Sequence, residues 1–130
     1  VIWFTEKVEN PNVFMYLFLN EQDESVGQVI IERKENWASV GQSVAKEHRG
    51  KRYSSEMLSK GTDDFLKKFP KETIVSVVKT NNISSIKMSI NSGFNVLTPN
   101  QDSDKILVLK GYRQNDQDFI IQFKHFFKLL

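Results

Sequence analysis

The chain has 130 residues, 39% of them hydrophobic and ten of them phenylalanine, which is about one ordinary domain with enough apolar bulk for one core. Its 18 basic and 16 acidic residues leave a formal charge of +2, a weak global field where a general nucleic-acid binder carries a lopsided excess. The absence of cysteine removes disulfides, thiolate metal sites and a cysteine nucleophile, and suits a cytoplasmic location. No apolar run approaches the roughly 20 residues of a membrane span, and no signal peptide is visible, so neither nucleic acid nor membrane is expected as a partner. The chain opens on Val1 followed by Ile2-Trp3-Phe4. It reads as one domain over residues 1–130, processed or cut from something longer.

In chain order, Ile2 to Val8 reads as the tail of a helix, stopped by Asn10-Pro11-Asn12 because proline imposes an extended residue before it. Val13 to Leu19 is almost continuously apolar and predicts a strand covered on both faces. Val26 to Glu32 and Trp37 to Val44 predict two further strands, each set off by a polar turn. Met57, Leu58, Gly61, Phe65 and Phe69 share one helical stripe, which ends before Pro70. Thr73 to Val78 is β-branched and short, a buried strand. Asn82 is an N-cap for a helix from Ile83 to about Asn91, closed by Ser92-Gly93. Phe94 to Leu97 and Lys105 to Leu109 are strands joined by TPNQDSD, and Asp116 to Leu130 is a last helix. The order predicts an α/β (α+β) fold, a sheet covered by helices.

The segment KEHRGKRYSSEMLSKG, Lys46 to Gly61, gathers Lys46, His48, Arg49, Lys51 and Arg52 where a strand turns into a helix. Helix-opening amides lack internal partners and carry the positive end of the macrodipole. Successive turn amides form a nest for an anion, and Gly50 lets the backbone come close. A pyrophosphate is the natural guest. A solvated basic turn is the plainer alternative, since one glycine is a weak signal.

Two segments together resemble the GNAT superfamily of acyl-CoA N-acyltransferases. RGKRYS, Arg49 to Ser54, resembles motif A, whose pattern is Q/R-x-x-G-x-G/A. TNNISSIKMSINSGF, Thr80 to Phe94, resembles motif B, matching at Asn82, Ser85 and Gly93-Phe94. The similarity runs from about Val13 to Leu109, and looks closest to the branch that acetylates amines of nucleotide-linked sugars. It implies a mixed, mostly antiparallel sheet splayed open between Trp37–Val44 and Thr73–Val78. It also implies an acetyl-CoA-dependent N-acetyltransferase acting on the primary amine of a small molecule such as an amino sugar. On that resemblance the pantetheine arm pairs with the strand edge at Ser43, Val44 and Ala45. The pyrophosphate sits over Arg49, Gly50, Lys51, Arg52, Tyr53, Ser54 and Ser55, and Asn82 and Ser85 reach the cofactor or its loop. The oxyanion is expected on the amide of Val44 or Ala45.

Three departures bear on chemistry. Arg52 and Ser54 stand where the family prefers glycine or alanine, and a left-handed backbone at Arg52 would be strained. Ser89 stands where the family usually has the tyrosine that protonates the departing thiolate, and serine is a much poorer acid. Ser39 lies on the strand where relatives often carry an acidic base, so Glu32 is the substitute base, with Glu47 and His48 as alternatives. His48 belongs to the residue type that exchanges protons near neutrality, but its loop assigns it to the cofactor. His125 and His48 are too far apart in sequence for metal-ligand spacing, and no metal is expected.

Two other readings compete with the enzyme. One is a non-catalytic acyl-CoA-binding domain, suggested by Arg52, Ser54 and Ser89. The other is a protein-interaction module using its Phe-rich terminal helix. That helix carries Phe119, Ile120, Phe123, Phe126, Phe127 and Leu130 on one face, too apolar to stay in water. The resemblance also implies that the family's usual opening strand and helix are missing, which leaves surface to cover. Packing of the terminal helix within the chain is expected, with a homodimer or a fused upstream segment as the other outcomes.

Overall fold

A computed structural model describes residues 2–97 and 103–127. It contains β1 (Trp3–Asn10), β2 (Val13–Leu19), β3 (Ser25–Arg33), β4 (Ala38–Val44), α1 (Tyr53–Lys68), β5 (Thr73–Lys79), α2 (Ile83–Asn91), β6 (Asn95–Leu97), β7 (Lys105–Gly111) and α3 (Gln117–Phe127). A short 3-10 turn, Lys46–His48, lies between β4 and α1. The seven strands form one sheet in the order β1-β2-β3-β4-β5-β7-β6. All neighbours pair antiparallel except β4 and β5, which run parallel.

The segment expected as a helix tail is instead the edge strand β1, paired along its length with β2. Asn10-Pro11-Asn12 is the hairpin turn, tied by the Asn12 amide donating to Asn10 Oδ1 at 2.8 Å. The opening strand expected to be missing is therefore present, and a tight turn leads directly to β2. β2 also departs from its expected burial. Phe14, Tyr16 and Phe18 are buried, whereas Val13, Met15, Leu17 and Leu19 are only half-buried. Thr98–Gln101 and Asp102 of the β6–β7 turn lie outside the described residues, as do the side chains of Phe126, Phe127 and Leu130.

α1 covers the β2–β4 half of the sheet. Met57, Leu58 and Phe65 are buried against Tyr16, Val29 and Ile31. The helix reaches the sheet at Gly61, where an added Cβ would stand 3.2 Å from Val29 Cγ1, a tight contact that the Val29 side chain would have to yield to by a few tenths of an ångström. The Arg33 guanidinium pairs with Glu72 at 2.7 Å and lies over the Phe69 ring, so β3 clasps the end of α1. α3 takes the opposite face, burying Phe119, Ile120 and Phe123 against Val75, Leu107 and Leu109, with Trp37 edge-on to Phe123. Thus the terminal helix packs within its own chain, as its apolar face requires.

The Tyr16 hydroxyl is fully buried beside the carboxylates of Asp64 and Glu6. Burial first, and the carboxylates of Asp64 and Glu6 second, push it far above the ordinary tyrosine value of 10.0. A raised folded-state pKa means that the unfolded chain releases its phenolic proton first as pH climbs. Stability from this group is therefore complete below pH 10 and is lost above it. The expected slope is about 1.4 kcal/mol per pH unit. Denaturant melts from pH 8 to 11 should show that decline, and Tyr16→Phe should flatten it; equal slopes in both proteins would contradict the assignment.

Candidate active site

β4 and β5 pair at Ala38–Ile74 and at no other register position. Beyond that pair the two strands diverge, and α2 crosses the opening. A cavity of about 320 Å³ fills the wedge, lined by β4 (Val40, Gly41, Gln42), β5 (Ser76 to Lys79) and α2 (Ser85, Met88, Ser89). Its walls come from both faces of the sheet. Val40 and Val78 pack with the α1-side core, while Gly41 and Val77 alternate to the other side. The wedge is thus an opening through the sheet.

A second groove of about 600 Å³ continues from it and shares Gln42, Ser85 and Met88. It holds Ser43, Val44, His48, Arg49, Gly50, Arg52, Tyr53, Ser54 and Ser55, and on the α2 side Ser84, Lys87 and Asn91. Three cations and no carboxylate line it. α1 opens onto this groove without a side-chain cap; its N-cap is Arg52, where Ser, Thr, Asp or Asn would satisfy the first amides. A cation at that end also opposes the macrodipole. Both features leave the helix N-terminus demanding an anion. Gly50 has φ +79 and Arg52 φ +66, so the loop curls through two left-handed residues. For glycine that is free, but for arginine it costs on the order of 1 kcal/mol. The strain foreseen at Arg52 is real, and it turns the α1 amides outward.

Two buried polar atoms on the groove, Gln42 Oε1 and His48 Nδ1, have no hydrogen-bond partner. His48 is buried with its ring edge against Tyr53. Buried polar atoms are ordinarily paired, so both can accept or donate to a ligand or a water that enters the groove. Ser92 Oγ lies 2.7 Å from the Met88 carbonyl and 3.1 Å from that of Ser55, its one proton facing both, where the end of α2 meets the start of α1.

The strand edge refines the expectations for β4. The Ala45 amide donates to Val26 at 2.8 Å, so Ala45 cannot hold an oxyanion or pair with a pantetheine. Antiparallel alternation then turns the backbone of Ser43 toward β3 as well, and that of Val44 and Gln42 toward the wedge. Of the expected trio, Val44 keeps a free edge amide, and its carbonyl accepts from Arg49 Nε at 3.3 Å. Ser43 contributes to the groove wall.

Asn82 caps α2 through Oδ1, which accepts from the Ser85 amide at 3.2 Å, and it also borders the wedge. Ser89 is buried at the wedge, but its hydroxyl donates to the Ser85 carbonyl at 2.9 Å. It must break that bond to protonate a leaving group. Lys51 and Glu32 line neither cavity. Glu32 pairs in register with Ser39 and forms an ion pair with Lys34 at 3.1 Å. Sequence reasoning missed Gln42 and Lys87. Lys87 sits five residues beyond the cap Asn82, the one signal that could have found it. Among the described residues no cluster of His, Asp or Glu could hold a metal.

Comparison with known proteins agrees with this geometry. No curated protein sequence matches. Among solved structures, spermidine N-acetyltransferase from Vibrio cholerae in complex with CoA and spermine superposes with a TM-score of 0.65 at 14% identity, over 82% of this chain and 69% of that one. A mutant of that enzyme gives 0.65 and 14%, over 78% and 66%. An acetyltransferase from Agrobacterium tumefaciens gives 0.59 and 21%, over 75% and 60%. The chain therefore spans about two thirds of the length of these neighbours, which share its fold. A family model described as the acetyltransferase (GNAT) domain matches residues 2–95. With most of its length matched and the splayed strands and basic helix turn in place, the chain belongs to the GNAT acetyltransferase domain family.

Proposed function

We propose that the protein transfers an acetyl group from acetyl-CoA to the primary amine of a small molecule. The observation that carries this reading is the wedge that opens beyond Ala38–Ile74 and runs into the uncapped, cationic N-terminus of α1. Acetyl-CoA supplies an activated thioester. Its diphosphate suits the amides from Tyr53 to Ser55 with Arg49, Arg52 and Lys87 around them, and its pantetheine amides suit the free edge at Gln42 and Val44. A neutral amine nitrogen attacks the thioester carbonyl, a C–N bond forms and the C–S bond breaks. The nitrogen sheds a proton to water, and the CoA thiolate takes one up. The amide edge of β4 offers donors to the transient oxyanion. Most of the acceleration comes from holding amine and thioester together, which leaves room for a weak acid at Ser89.

The committed hydroxyl of Ser89 favours the second reading, a domain that binds acyl-CoA without turnover. The expected amino-sugar acceptor has no support from the comparisons, whose neighbours include an enzyme bound to spermine. Calorimetry with CoA and thiol release from acetyl-CoA with a panel of amines test both readings. Binding with thiol release that depends on the amine is expected. Binding without release would establish the second reading, and no binding would end both.

A further inference from the structure

The half of the sheet opposite α1 presents a surface that neither core absorbs. Val13, Met15, Leu17 and Ile30 are half-buried and belong to neither hydrophobic cluster. The register leads this strip to the wedge, with Met15 opposite Ile30 and Ile30 opposite Gly41. A Cβ built at Gly41 would meet nothing within 4 Å, so the strip runs unobstructed into the opening. Across the gap stands Val77, 42% exposed and on the wall of the same cavity. Met15, Ile30 and Gly41 thus form an apolar strip that leads to the wedge, with Val77 on its far wall. Lys79 lines the wedge on the Val77 side, and the two carboxylates that border the strip are each paired, Glu32 to Lys34 and Glu9 to the Lys7 that lies opposite Met15.

From this face we infer the acceptor class: an amine of single positive charge on an apolar body, and not a polyamine. The inference rests on the acetyltransferase reading above. A polyamine brings several ammonium groups, each of which loses hydration and needs a carboxylate in return. The strip offers none free among the described residues, and Lys79 repels them. An apolar body instead covers Ile30, Met15 and Val77, and leaves its one amine at Gly41.

The test uses 2-phenylethylamine and spermidine as probes against the CoA-saturated protein, first by equilibrium binding and then by turnover. CoA binding is measured beforehand on the same preparation, so that a failed cofactor reading is seen separately. The expected result is at least tenfold tighter binding of 2-phenylethylamine, and a kcat/KM ratio in the same direction. Ile30→Glu, at a position outside both cores, should shift the ratio toward spermidine by at least tenfold and leave CoA affinity unchanged. Equal or better binding of spermidine by the unaltered protein would overturn the inference. So would failure of both amines to bind the CoA-loaded protein, or an unmoved ratio in Ile30→Glu.

Discussion

Removal of residues 114–130 will abolish cooperative unfolding. Phe119, Ile120 and Phe123 of α3 are almost fully buried, and Val75, Leu107 and Leu109 beneath them depend on that cover. At roughly 1.5–3 kcal/mol for each fully buried side chain, the three helix residues alone contribute about 5–9 kcal/mol. The whole stability of a domain is about 5–15 kcal/mol. The truncated chain should aggregate or melt without a sharp transition in calorimetry. A gentler variant separates packing from mere deletion. Phe123→Ala should lose about 3–5 kcal/mol, because it also removes the edge-on contact with Trp37 at 5.2 Å. Ile121→Ala, at a side chain 60% exposed, should change little. A truncated protein that stayed monomeric and equally stable would show that α3 is dispensable.

Replacing Arg49, Arg52 and Lys87 together by alanine should weaken CoA binding by roughly a hundredfold or more. Hydrogen bonds to charged groups contribute about 1.5–3 kcal/mol each, and loss of any two reaches that factor. Thermal stability should hold or improve, since these cations crowd the positive end of α1 and gain nothing from it. Arg52→Gly alone isolates the backbone. It keeps the left-handed turn at φ +66 without the side-chain strain, so the melting temperature should rise while CoA affinity falls. Lys51→Ala, outside the groove, should leave affinity nearly unchanged. Binding by the unaltered protein should also weaken with added salt, as exposed charge pairs do. If the triple variant bound CoA as tightly as the parent, the turn would be an ordinary solvated loop.

The central elements were legible because their patterns are local. β2, β5, the stripe of α1 and the Asn82 cap each announce themselves within a few residues. β1 was not legible. Its face away from α1 and its outer edge are both exposed, so the alternation that marks a half-buried strand is faint in Trp3 to Asn10. The site divides the same way. Gly50, Ser54 and Ser55 follow from a motif within one loop. The loss of Ala45 as a donor, the place of Glu32 outside both cavities and the commitment of the Ser89 hydroxyl all depend on register or on a helix carbonyl. No count along the chain supplies those. Arg52 stands between the two cases: its identity hinted at strain, and only the backbone could show its sign.

The lone Ala38–Ile74 pair has a consequence for how the protein breathes. A seven-stranded sheet ordinarily guards its middle best and frays at its borders. Here β4 and β5 lie at the centre in strand order, yet each ends on an open seam, so the backbone of Gln42 and Val44 meets water as an outer strand's would. Amide hydrogen exchange should therefore run fast along the seam and slow on either side of it, although the core beneath α1 is continuous across both sets of strands.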